Sequence, residues 1–162
     1  YAVKQGVLAS EGEIILFLDA DGATQPNEID RHIGLFSNGF DIVIGSRVVS
    51  DADSKVKTKF YRKLMGSIFN FLVSTLLIKG IKDTQCGFKM FKSRAAKTIF
   101  EKIKLEGFGF DLEVLYLAQK NQFKIKEVPV NWVHIPGSKV DLIKDSLRMF
   151  LNILEIKKIH KY

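Results

Sequence analysis

Asp19 and Asp21 stand one residue apart directly after the apolar run Glu13-Ile-Ile-Leu-Phe-Leu18, so an extended chain turns both carboxylates to one side. Two carboxylates so placed can hold a hard divalent cation, and a cation there neutralises a diphosphate leaving group. Asp19-Ala-Asp-Gly22 serves equally as an ordinary turn after a strand, because Asp and Gly are common turn residues. Arg47 follows a second apolar run, Asp41-Ile-Val-Ile-Gly45. Its planar donor fork suits a phosphate or a ribose, although a solvated surface arginine leaves the same mark in a sequence. Arg62 and Lys63 open a long apolar stretch at the end where a helix dipole disfavours cations. A bound phosphate compensates for that, and so does a basic rim reaching toward water. Lys82-Asp-Thr-Gln-Cys-Gly-Phe-Lys89 packs a carboxylate, a hydroxyl, an amide, a glycine and a lysine into one turn, half of which turn chemistry alone explains. Phe110-Asp-Leu-Glu113 sets two acids at a helix opening, where capping and the dipole account for them without a catalytic task.

Other chemistries are excluded by absence. His32, His134 and His160 are scattered, with no partner at helical spacing, which argues against a histidine-based metal site. No Ser-His-Asp order, P-loop or G-x-G-x-x-G is present. The single cysteine, Cys86, excludes an intramolecular disulfide and a Cys-rich zinc site; it reads as a small, half-buried residue in a reducing, cytoplasm-facing setting.

The elements that must position these residues alternate. Residues 1–12 read as a helix entered part-way and closed by Gly12, with no signal peptide, and Glu13–Leu18 is a buried strand. Thr24-Gln-Pro-Asn-Glu28 starts a second helix with Ile29, Ile33 and Phe36 on one face, and Asp41–Gly45 is a second strand. Helix, strand, helix, strand is the pattern of a parallel α/β sheet, whose ligands sit beyond the carboxyl ends of the strands. Val48–Lys59 is polar and aperiodic, a surface loop able to act as a lid. Phe60–Ile78 reads as a long helix closed by Gly80; its most apolar part, Leu64–Ile78, is 15 residues long, short of the ~20 that cross a bilayer. Gln85–Phe91 alternates like an edge strand, Ser93 caps a helix through Ile103, Asp111–Gln119 is a further helix, and Lys126–Val133 is a last strand. Asp141–Ile159 places leucines, isoleucine and Phe150 among lysines, a basic amphipathic helix suited to a headgroup layer. With 162 residues, 46% of them apolar, the chain supports one core: a domain over 1–140, with 141–162 as the amphipathic helix.

Taken together, Glu13-Ile-Ile-Leu-Phe-Leu-Asp-Ala-Asp-Gly22, Ile44-Gly-Ser-Arg47, Lys82–Phe91, Phe110-Asp-Leu-Glu-Val-Leu115 and Val130-Asn-Trp-Val-His-Ile-Pro-Gly-Ser-Lys139 resemble family 2 glycosyltransferases, in particular the dolichyl-phosphate β-glucosyltransferases and other polyprenyl-phosphate glycosyltransferases. The resemblance covers nearly the whole chain and implies a GT-A fold, Rossmann-like with a mostly parallel sheet. It also implies that the family's first strand and the base-gripping strand precede Tyr1, so that this segment alone binds nucleotide poorly. By the same resemblance Asp19 contacts the nucleotide and Asp21 a Mg2+ or Mn2+ ion. Arg47, Arg62 and Lys89 face donor or acceptor phosphates, and Asp83 and Gln85 lie close to the reacting centre. Ala23 stands where mannosyl-transferring relatives often carry a glutamine ligand.

The function implied is inverting transfer of glucose from UDP-glucose to a polyprenyl phosphate. It would take place on the cytoplasmic face of a membrane, endoplasmic reticulum in a eukaryote or plasma membrane in a prokaryote. Twenty-five Lys and Arg against eighteen Asp and Glu, a net charge of +7, suit anionic partners. Nucleic acid is the weaker choice, because the basic residues form no stripe interleaved with aromatics. Two rivals stand: a family 2 enzyme with a soluble or polysaccharide acceptor, and a non-catalytic membrane-surface module that leaves Asp19, Asp21 and Arg47 unexplained.

Overall fold

The computed structural model describes residues 2–52, 56–57, 73, 76–133, 135 and 142–161. The apolar runs become strands β1 (Ile14–Leu18) and β2 (Ile42–Ser46), joined by the short helix α2 (Glu28–His32) and a 3-10 turn (Ile33–Phe36). Helix α1 (Ala2–Ala9) precedes them. Strands β4 (Phe88–Lys92) and β5 (Ile125–Pro129) complete a four-stranded sheet in the order β1-β4-β2-β5. Two helices, α3 (Ser93–Lys102) and α4 (Phe110–Lys120), lie between β4 and β5, and α5 (Leu142–Ile159) follows.

Side chains alternate across this sheet and feed two cores. Ile15, Ile42, Ile44 and Phe91 pack with Val7 of α1, Ile99 and Phe100 of α3, Leu112 and Leu115 of α4, and Ile153 and Ile156 of α5. Val43, Phe88, Met90 and Val128 pack on the opposite face with Phe36 and the partly buried Ile29 and Leu35. Burial on both faces is why β1 and β2 read as continuous apolar runs.

The fold class is the α/β one expected, and the sheet is mixed. β2 and β5 are parallel, with Ile42 opposite Ile125 and Ser46 opposite Pro129. β4 runs antiparallel to both of its neighbours. The segment that alternates like an edge strand is therefore a central one, and the polar residue responsible for the alternation, Lys89, is only 1% exposed. Three further local expectations change. Ser93 is the first residue of α3 rather than its cap: the preceding Lys92 is extended, and Ser93 N–H donates to Glu13 O (2.8 Å). The last strand divides at Val130-Asn131 into β5 and the two-residue β6 (Trp132–Val133), which pairs in parallel with β3 (Val56–Lys57) in a separate ribbon. Cys86 is fully buried, not half-buried. Most of the long helix expected over 60–78, Arg62 included, lies outside the described residues.

The helix expected at the carboxyl end forms and is clasped to α4. A Cβ on Gly109 would sit 2.2 Å from Asn152 Nδ2, so a larger residue there would have to push the Asn152 side chain aside. The wholly buried Glu113 accepts hydrogen bonds from Lys104 N–H (3.0 Å) and Leu105 N–H (2.7 Å), and its Oε1 lies 2.6 Å from His160 Nε2. Among the described residues no helix is long and apolar enough to cross a membrane.

Candidate active site

Because β1, β2 and β5 run one way and β4 the other, the carboxyl ends of three strands and the amino end of the fourth meet at one edge. That edge collects Asp19 and Asp21 after β1, Ser46 and Arg47 after β2, the 82–87 turn before β4, and Asn131 and Trp132 after β5.

Arg47 and Asp83, 36 residues apart, form its most extensively hydrogen-bonded pair. Arg47 Nε donates to Asp83 Oδ2 (2.7 Å), Nη2 donates to Oδ1 (2.8 Å), and Arg47 N–H also donates to Oδ2 (2.9 Å). A planar guanidinium on a carboxylate through two parallel bonds is the strong form of an ion pair. Burial of Asp83 opposes its charge, but Arg47 outweighs that and holds the carboxyl below the usual range. Reciprocally, burial opposes the Arg47 charge and Asp83 more than restores it. Further supports fix both partners. Ser46 Oγ accepts from Val48 N–H and Val49 N–H, shaping the turn after β2. Glu127 of β5 accepts from Lys82 N–H (3.0 Å) and Asp83 N–H (2.8 Å), fixing the turn before β4. The Trp132 ring lies under the guanidinium, 5.7 Å from its centroid to Arg47 Cζ. Trp132 is itself held through its neighbours: Asn131 Nδ2 donates to the buried Glu28 (2.7 Å), and Val133 N–H donates to Ala23 O (2.9 Å).

Lys89 supplies the second cation from the second residue of β4. Its Nζ donates to Cys86 O (2.6 Å) and to Asp111 Oδ1 (2.7 Å) in the first turn of α4. Burial raises the Asp111 pKa, with Lys89 opposing. Phe17 packs edge-on against Phe110 beside them, with ring centroids 5.5 Å apart. Burial pushes the Cys86 thiol up to about 12, so it is an inert packing group.

Asp19 and Asp21 differ from the other two aspartates. Both are exposed, and among the described residues neither is in an ion pair. Asp21 Oδ1 accepts from Ala23 N–H (2.9 Å), an Asx turn. Asp19 N–H donates to Gly87 O, and its carboxylate lies across Gly87 so closely that a Cβ there would sit 2.0 Å from Oδ2. Partial burial raises the Asp19 pKa first, the Asp111 and Asp21 charges add to that, and Lys89 and Arg47 oppose it. Arg47 and Lys89 are committed to Asp83 and Asp111, so negative charge is in surplus beside Asp19 and Asp21. Two exposed carboxylates in such a place fit a hard divalent cation that completes its shell with water and phosphate oxygens. Among the described residues no group of three or more His, Cys, Asp or Glu side chains could hold a metal by itself.

The expected site residues Asp19, Asp21, Arg47, Asp83, Gln85 and Lys89 thus converge on one edge, with Gln85 N–H donating to Asp83 Oδ1 (3.3 Å). Arg62 lies outside the described residues. Asp83 is saturated by hydrogen bonds, and Lys89 is sealed in the sheet. Sequence reasoning missed Asp111 as the counter-charge of Lys89 and Glu127 as the clamp on the 82–83 backbone. Only an acid opening a helix and a lone acid within a strand signalled them.

Polar groups gathered beyond the strand ends are common to open α/β sheets, and the backbone comparison and the family match narrow this one to the GT-A glycosyltransferase class. The backbone matches glucosyl-3-phosphoglycerate synthase from Mycobacterium tuberculosis, solved in complex with uridine-diphosphate, with a TM-score of 0.70 at 15% identity, over 96% of this chain and 53% of that one. The chain belongs to glycosyl transferase family 2, whose model matches residues 1–100. Among curated proteins it is 44% identical over 161 residues to a dolichyl-phosphate beta-glucosyltransferase of Dictyostelium discoideum, covering 96% of this chain and 49% of that protein. The human protein of the same name is 39% identical over 162 residues, with 96% and 50% covered. That of Saccharomyces cerevisiae is 35% identical over 168 residues, with 96% and 50% covered. The chain spans about half the length of these curated relatives.

Proposed function

We propose that the full-length protein is an inverting glycosyltransferase that moves glucose from UDP-glucose onto a dolichyl or other polyprenyl phosphate. The observation that carries this reading is the uncompensated Asp19–Asp21 pair beside an Arg47 fork held rigid by Asp83. The name of the relatives, dolichyl-phosphate beta-glucosyltransferase, supports the acceptor, the sugar and the β-linkage. The uridine-diphosphate held by the synthase of the same fold supports the nucleotide.

The chemistry follows from the groups present. A phosphate monoester acceptor is anionic at neutral pH, so its oxygen attacks the anomeric carbon from the face opposite the leaving diphosphate without a strong general base, and the configuration inverts. Catalysis is then positioning and charge neutralisation. That agrees with an Asp83 whose carboxylate is occupied: it acts as a positioning residue for Arg47, and Arg47 meets a phosphate. Gln85, on the same turn, lies toward the sugar. Lys89 adds positive charge from within the sheet, and Arg62 is assigned to the acceptor phosphate. A Mg2+ or Mn2+ ion on Asp21, with Asp19 on the nucleotide beside it, would supply charge neutralisation to the diphosphate when bound.

The site of action is the cytoplasmic face of a membrane, endoplasmic reticulum for a eukaryotic source and plasma membrane for a prokaryotic one. Helix α5 supports this, since it exposes Leu151 and Leu154 beside the exposed Arg148, Lys157 and Lys158. Nucleic acid is not among the partners assigned.

The test is transfer of labelled sugar from UDP-glucose, with GDP-mannose in parallel, to dolichyl phosphate in detergent with magnesium or manganese. Glucosyl-lipid formed by the full-length protein and lost in Asp21→Ala is the expected result. Absence of lipid product from either donor overturns the reading in favour of a soluble acceptor.

A further inference from the structure

Among the described residues the buried side-chain polar atom without a hydrogen-bond partner is Thr84 Oγ1, on a residue with no exposed surface. A buried hydroxyl that has given up water and gained nothing in return destabilises the folded chain. Valine has almost the same shape and would avoid that cost, so the hydroxyl calls for an explanation outside the ligand-free fold.

Its position supplies one. Thr84 sits between Asp83, which holds Arg47, and Gln85, whose N–H donates to Asp83. The turn is pinned at one end by Glu127 through Lys82 N–H and Asp83 N–H, and at the other by Asp19 N–H on Gly87 O. It bridges the carboxyl ends of β1 and β2, between the aspartate pair and the arginine fork. A ligand phosphate drawn to that edge meets Asp19, Asp21, Asp83 and Asp111, while Lys89 is committed to Asp111 and Arg47 is shared with Asp83. A neutral hydroxyl donor there adds a bond to a phosphate oxygen without altering the charge of the site.

We propose that the Thr84 hydroxyl binds a phosphate oxygen at the reacting centre, its hydrogen bond forming only in the ligand-bound protein. This rests on the glycosyl-transfer reading and adds a binding residue to it. Two sources offer that oxygen, the donor diphosphate and the acceptor phosphate. Because the hydroxyl is covered in the absence of ligand, the 82–87 turn or its cover shifts on binding, and the amides of this turn change their hydrogen-exchange rates.

The test uses the full-length protein with Thr84→Val and Thr84→Ser. Melting is measured without ligand, UDP affinity by calorimetry with magnesium, and initial rates against UDP-glucose and dolichyl phosphate. Removing an orphaned hydroxyl should raise the Thr84→Val melting temperature by about 2–4 °C. A lost hydrogen bond to a charged group should lower kcat/KM roughly tenfold or more. Thr84→Ser, which keeps the hydroxyl, should restore most of the activity. Weakened UDP binding assigns the oxygen to the donor; unchanged UDP binding with a raised KM for dolichyl phosphate assigns it to the acceptor. Thr84→Val matching wild type in UDP affinity and in all kinetic constants overturns the proposal and leaves the transfer reading intact. So does a lowered melting temperature, which means that the hydroxyl already has a partner, such as a buried water. A wild-type protein that neither binds UDP nor glucosylates lipid overturns both.

Discussion

Asp19 with Asp21 and Asp111 with Glu113 are two acid pairs of the same spacing, one following a strand and the other opening a helix. The first pair is exposed and, among the described residues, in no ion pair; the second is buried and compensated. Within the second pair the two acids face different tasks. Glu113 ties the 104–105 backbone and His160 together, whereas Asp111 turns to Lys89 at the reaction edge. Position at that edge alone therefore does not separate structural from functional acids. What separates them is whether the partners present use up the charge.

Breaking Glu113 should show the largest effect on stability. Glu113→Ala leaves two backbone N–H groups and His160 without their acceptor, and removing one partner from such a buried network costs about 3–5 kcal/mol. Urea unfolding of the full-length protein should show that loss. Asp21→Ala should instead stay within about 0.5 kcal/mol of wild type, as expected of an exposed residue, while transfer is lost. Equal destabilisation by both would erase the distinction between the pairs.

The Lys89–Asp111 pair sharpens the comparison from inside. Asp111→Ala strands a buried ammonium and should cost about 3 kcal/mol or more. The double change Lys89→Met with Asp111→Leu, which substitutes an apolar contact, should recover to within about 1 kcal/mol of wild type. If that double variant also keeps full transfer activity, Lys89 is a structural cation and has no part in the reaction.

Gly87→Ala probes the exposed pair with a smaller push. The new methyl group would lie 2.0 Å from Asp19 Oδ2 and 2.7 Å from Asp19 Cβ, so the Asp19 side chain must move. Overpacking of this kind costs about 1–3 kcal/mol. The expected sign of function is weaker UDP binding, read by calorimetry; unchanged binding would detach the Asp19 position from the nucleotide.

Much of this edge is legible in the sequence. The apolar runs ending at Leu18 and Gly45 located β1 and β2, and with them Asp19, Asp21 and Arg47. The middle strand was not legible. Alternation of polar and apolar residues has the same period whether Lys89 faces water or a carboxylate 22 residues further along. The Arg47–Asp83 fork joins two residues that were each singled out, yet a 36-residue separation carries no local signal of pairing. Ser93 has the residue type of a cap, but a tertiary bond from its N–H to Glu13 O satisfies that end of α3 instead. Local patterns recorded which residues leave the core, and not which distant groups meet them there.

The smallest effect tests whether the brace behind Trp132 is purely structural. His32 Nε2 lies 2.9 Å from Pro129 O, joining α2 to the end of β5, with Glu28 and Arg31 of its own helix, Asp51 and the Phe88 ring around it. Burial lowers its pKa first; the Arg31 charge works in the same direction, against the Pro129 hydrogen bond, Glu28 and Asp51. A histidine whose folded pKa lies below its unfolded value near 6.5 binds its proton more readily in the unfolded chain. Its contribution to stability is therefore fully present above that unfolded value and is lost as pH falls through the folded one. The slope from one such proton is at most about 1.4 kcal/mol per pH unit. Urea midpoints measured between pH 7.5 and 5.5 should fall for the wild type and fall less for His32→Gln. A slope unchanged by the substitution would mean that His32 takes up its proton equally in the folded and unfolded chain, and that the brace on the Trp132 loop is insensitive to pH.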